Sequence, residues 1–122
     1  MIHYNIWFNL RGAVDEAGAL ATVHAFLSNL YDAGSIACFH LLRNSGAEGK
    51  STLPRFQALI EFRDDAQFST AFSAQAARGI HTGLHGRVMD LVSDFRVEIF
   101  TQIAASNPVA AVEPSPAYGC EV

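Results

Sequence analysis

The opening segment, Ile2 to Leu10, carries two different sets of side chains, and neither set suits water. Even positions hold Ile2, Tyr4, Ile6, Phe8 and Leu10, whereas odd positions hold His3, Asn5, Trp7 and Asn9. A period of two places these sets on opposite faces of a strand. A strand that is aliphatic and aromatic on one face, with Trp and His on the other, is expected to be covered on both. Such a strand belongs inside a layered fold rather than at a wet surface.

The rest of the chain supplies the layers. Residues 14–32 place Leu20, Val23, His24, Leu27, Leu30 and Tyr31 at helical spacing, with Gly34 as the stop. The run "SIACFHLLRN" reads as a second strand, and the glycines, charges and Pro54 of "SGAEGKSTLP" read as a loop to a third, "RFQALIEF". That loop contains Gly-Lys-Ser-Thr, but it lacks the upstream glycine of a phosphate loop and does not open a helix. Asp64 and Gln67 have the spacing of a capping box, opening a helix that carries Phe68, Ala71, Phe72 and Ala76 and stops at Gly79. A second helical piece follows with Leu84, Val88, Leu91 and Val92, then a strand, "DFRVEIF". The order is β-α-β-β-α-β. This predicts an α+β, ferredoxin-like subunit with a four-stranded antiparallel sheet and helices on one face. The domain is expected over residues 1–101, with a proline- and alanine-rich tail over 102–122 in which Tyr118 could anchor to a partner.

Composition narrows the function. The chain has 122 residues, enough for one core, and a formal net charge of -4 with eight Lys and Arg in total. That balance argues against a nucleic-acid partner. No apolar run is long enough to span a bilayer, and the N-terminus enters a strand with no leader-like pattern, so a cytoplasmic protein without membrane contact is expected. Two cysteines, Cys38 and Cys120, imply neither a disulfide framework nor a zinc site by themselves, and a buried, inert thiol is expected at Cys38. Arg55, Glu61, Arg96 and Glu98 are candidates for cross-strand ion pairs.

The first strand, with "IHYNIWF", and the segment "HTGLHGRVMDLVSDFRVEIF" resemble the dimeric α/β-barrel superfamily, in particular its stress-responsive branch, with this chain most like an uncharacterised bacterial member. The resemblance covers about residues 1–101. It implies a homodimer whose sheets pack face to face into a barrel, with a ligand cavity between sheet and helices in each subunit. It also implies that His3 and His85 line that cavity. The activities it suggests are a cofactor-independent, monooxygenase- or cyclase-like enzyme acting on a small apolar or aromatic molecule. The alternative is a non-catalytic, stress-associated binding or structural dimer.

The glycine-rich stretch "GIHTGLHGRV" contains the second candidate site. Histidines four apart on a helix can share a metal, but His81 and His85 lack an intervening glutamate and are surrounded by helix-weakening glycines. Simple packing of His85, with His81 capping or exposed, is one reading. The other is a cavity histidine acting in proton transfer near neutral pH. The expected site joins His85 and His3 as proton carriers to Asn5, Trp7 and His81 as ligand contacts, with no metal and no cofactor. The alternative places His3, Asn5 and Trp7 at the dimer seam and leaves His85 among Tyr4, Ile6 and Phe8. Thr82 is expected to cap the helix starting at Gly83.

Overall fold

The computed structural model describes residues 1–46, 51–79 and 82–104. His81, Lys50, Tyr118, Cys120 and nearly all of the expected tail lie outside the described residues. The elements are β1 (Ile2–Leu10), α1 (Glu16–Asp32), β2 (Cys38–Arg43), β3 (Phe56–Phe62), α2 (Asp65–Arg78), α3 (Gly83–Leu91) and β4 (Val92–Thr101). The four strands form one sheet in the order β2-β3-β1-β4, with every neighbouring pair antiparallel. This is the ferredoxin-like architecture that the element order predicts.

Local chemistry sets the boundaries. Asp15 caps α1 by accepting the Gly18 N–H at 2.8 Å. The helix ends in a Schellman turn, with Ser35 N–H on Leu30 C=O, Gly34 N–H on Tyr31 C=O, and Gly34 at φ 74°. At α2 the expected capping pair forms in part. Asp64 Oδ1 accepts the Gln67 N–H at 2.8 Å, while Gln67 Oε1 reaches past the cap residue to the Arg63 N–H, also at 2.8 Å. Gln67 Nε2 then donates to Gly34 C=O at 3.0 Å, tying the end of α1 to the start of α2.

Sheet register separates the two faces. Tyr4 and Ile6 of β1 lie opposite Ile60 and Ala58 of β3, and opposite Ile99 and Val97 of β4. Opposed residues of an antiparallel pair share a face, and this one meets the helices. Its core contains Phe8, Phe39, Phe56, Ile60 and Phe62 with Val23 and Leu27 of α1. The other face holds His3, Asn5 and Trp7, flanked by Glu61, Leu59 and Gln57 of β3 and by Phe100, Glu98 and Arg96 of β4.

The junction of α3 and β4 departs from expectation. Val92, which fits the helical pattern, is instead the first residue of β4 and is buried. The strand continues through a bulge between the positions facing Trp7 and Asn9, where Asp94 adopts φ 55°. Asn9 holds this bulge by donating from Nδ2 to Asp94 Oδ2 at 3.0 Å, while its Oδ1 accepts the Arg55 N–H at 2.8 Å. Beyond the bulge every residue of β4 is exposed, including Phe95, Val97, Ile99 and Phe100.

Candidate functional site

A cavity of about 460 Å³ lies between the helix face of the sheet and the three helices. Its floor is Tyr4, Ile6 and Phe8 of β1 with Ala58, Ile60 and Phe62 of β3. Phe26 and Leu27 of α1, Ala71 and Phe72 of α2, and His85, Val88 and Met89 of α3 close it, while Phe95 and Val97 of β4 border it. The volume is within the usual range for small-molecule pockets, and the lining is mostly apolar, as such pockets are. An aromatic group forms one wall: the Tyr4 ring meets Phe72 edge-on at 5.3 Å, and Phe68 contacts both Phe62 and Phe72. Burial of the Tyr4 phenol pushes its pKa above the ordinary tyrosine value.

His85 enters the cavity from the first turn of α3, its ring edge-on to Phe26 at 5.3 Å. Thr82 occupies the expected cap position, but its side chain makes no capping bond. Its hydroxyl instead donates to Arg78 C=O at 2.6 Å and also lies 3.2 Å from Gly79 C=O. Thr82 therefore closes the end of α2 rather than the start of α3. This bond ties the residue before α3 to the last turn of α2, and Arg78 and His85 both border the cavity.

The expected convergence of His85 with His3, Asn5 and Trp7 does not occur. Because Tyr4 and Ile6 face the helices, alternation turns His3, Asn5 and Trp7 to the opposite face, and none of them borders the cavity. His3 Nδ1 instead lies 3.3 Å from Glu61 Oε1 on the neighbouring strand. Asn5 is buried and accepts a hydrogen bond from Gln57 Nε2 at 2.8 Å. The anticipated ion pairs are rearranged in the same way. Glu61 pairs with His3, and Arg55 pairs with Glu16 of α1 rather than with a strand neighbour. Cys38 is buried as expected but is disulfide-bonded, which corrects the expectation of a free, inert thiol.

Among the described residues no group of three His, Cys, Asp or Glu side chains is arranged to hold a metal ion, and no helix is long and apolar enough to cross a membrane. Tyr4, Phe26, Phe72 and Arg78 border the cavity but were not singled out as ligand contacts from the sequence. The available signal was the even-numbered face of β1, which is the more apolar of the two.

Residues 1–113 match a family of unknown function, DUF6614. The chain belongs to that family. No curated protein is similar to it in sequence. Solved structures show what fold this DUF6614 member shares. A crystal structure of an Arabidopsis thaliana protein aligns with a TM-score of 0.65 at 7% identity, covering 88% of this chain and 100% of the other. A dabb family protein with a ferredoxin-like fold from Mesorhizobium loti aligns at 0.57 and 16% identity, covering 84% and 97%. A protein of unknown function from Bacteroides fragilis, described as dimeric and ferredoxin-like, aligns at 0.50 and 13% identity, covering 81% and 93%. At these identities the likeness establishes the fold alone.

Proposed function

We propose that this DUF6614 member is a homodimer that binds a small, largely apolar molecule, with an aromatic ring as the best-fitting shape, in the cavity of each subunit. The cavity carries this reading: about 460 Å³ of mostly apolar space edged by Tyr4, Phe26, Phe62 and Phe72, with His85 as a polar contact. Aromatic walls favour flat partners through stacking and edge contacts. Dimerisation uses the opposite face of the sheet. Trp7, Leu59, Leu42 and Phe100 lie on it, with Leu42 and Phe100 exposed, and among the described residues no helix covers it. Pairing with a second copy would remove that apolar surface from water, and the similar Bacteroides fragilis protein is itself described as dimeric. His3 and its partner Glu61 would then belong to the dimer seam.

The binding test uses N-phenyl-1-naphthylamine, a neutral probe whose emission rises in apolar surroundings. Saturable enhancement is expected at one site per subunit. It is expected to be lost in Ala71→Phe, which fills the cavity from α2, while the circular dichroism of the folded protein is kept. Absence of saturable binding by the parent protein would overturn the reading. A second reading, a cofactor-independent enzyme, is favoured by the placement of His85 at the cavity wall, where an imidazole can serve as a general acid or base. On that reading His85→Ala abolishes turnover of a bound substrate but leaves probe affinity within about twofold. On the binding reading no turnover exists to lose.

A further inference from the structure

The wall of the cavity carries cationic chemistry but, among the described residues, no carboxylate. Among the described residues that border it, the ionisable side chains are Tyr4, His85 and Arg78. Of these, only Arg78 carries a charge that is fixed across ordinary pH. The ion pairs of the described residues join His3 to Glu61 and Glu16 to both Arg43 and Arg55, and none includes Arg78. An exposed guanidinium thus stands at the edge of an apolar cavity that an imidazole also lines, with no counter-charge paired to it among the described residues.

We propose that the molecule held in this cavity is an amphipathic organic acid. Its carboxylate would meet Arg78, and its apolar body would lie between Tyr4, Phe26, Phe62 and Phe72. This deepens the binding reading above and rests on it. A planar guanidinium matches a carboxylate with two parallel hydrogen bonds, which a neutral ligand head cannot supply. Long-range attraction would not account for such a preference, because the chain has a net charge of -4. Any gain for an anion must therefore come from the cavity rim itself.

A matched pair of probes separates this inference from the broader one. Sodium 2-naphthoate and methyl 2-naphthoate share an aromatic body and differ in charge. Binding of each to the full chain, and to Arg78→Gln and Arg78→Lys, is measured by titration calorimetry at low and moderate salt. Arg78 is exposed, so its expected contribution is modest, about fivefold in affinity. Arg78→Gln is expected to weaken 2-naphthoate by about that factor and the ester by less than twofold. Arg78→Lys should restore part of the loss, and added salt should weaken the acid selectively. Equal effects of Arg78→Gln on acid and ester, or binding of the ester without the acid, would overturn the organic-acid inference and leave the apolar cavity standing. Failure of both probes and of the neutral fluorophore would overturn the two readings together.

Discussion

Replacing Gln67 with glutamate changes one donor into an acceptor at the point where two helices meet. In the native chain Gln67 Oε1 accepts the Arg63 N–H at 2.8 Å, and Nε2 donates to Gly34 C=O at 3.0 Å. The residue is only 7% exposed. An ionised carboxylate in its place would keep the first bond and lose the second, turning a negative oxygen toward a carbonyl. Losing the bond to Gly34, an exposed residue, costs about 1 kcal/mol, and placing a charge at the buried position 67 adds about 2 kcal/mol. A total of about 3 kcal/mol is expected near neutral pH. Protonation restores the donor, so the variant's carboxyl is favoured in its neutral form and its folded-state pKa lies above the unfolded value of about 4.3. With a raised folded pKa, near-native stability is present below pH ~4 and is lost as pH rises through the folded pKa. Urea denaturation followed by circular dichroism from pH 4 to 8 measures this directly. Gln67→Met is the control, losing both side-chain bonds at about 2 kcal/mol with no such dependence. A Gln67→Glu protein as stable as its parent at pH 7, or one whose deficit does not grow with pH, would refute the assignment of these bonds.

Other consequences are open to direct measurement. Trp7→Glu places a charge in the middle of the proposed dimer seam and is expected to weaken self-association by about tenfold or more, read as a shift toward monomer in sedimentation velocity; an unchanged distribution would count against that interface. Asn9→Ala removes the clamp on the β4 bulge and should cost about 1–2 kcal/mol in urea denaturation, whereas a neutral result would show that Asp94 holds its φ unaided. Tyr4 is held protonated by burial, so an ultraviolet titration should show a late-ionising tyrosine, and folded stability should fall as pH rises past 10. A Tyr4→Phe variant that leaves the late step unchanged would sink this assignment.

Element order was legible in the sequence because periods of two and 3.6 alternate along the chain, and the stops at Gly34 and Gly79 fall where the helices end. The start of β4 was not. Val92 continues the helical spacing of Leu84 and Val88, no glycine or proline marks the change, and the bend comes from an aspartate in the left-handed region, uncommon for residues other than glycine although aspartate tolerates it. The site was legible only in part. His85 borders a cavity, but joining it to His3 required two residues on opposite faces of one sheet to meet. Alternation along β1 sends Tyr4 and Ile6 toward the helices, and a residue between them in sequence can only point the other way. Arg78 and Phe72 gave no motif, since a helix-terminal arginine and an apolar helix position are ordinary in any domain.

The strand order also has a consequence for how the chain becomes a protein. β1 is synthesised first, yet it lies between β3 and β4, and Ile2 finds its last neighbour, Thr101, only when nearly the whole described chain exists. Pairings between such distant segments close the largest loop and are slow to form. During synthesis the helices can dock on β1 and β3 while one long flank of β1 still offers its peptide groups to any passing strand. β4 therefore acts as the closing piece of the sheet. A chain interrupted before residue 92 would leave β1, one of the two central strands, as an open edge.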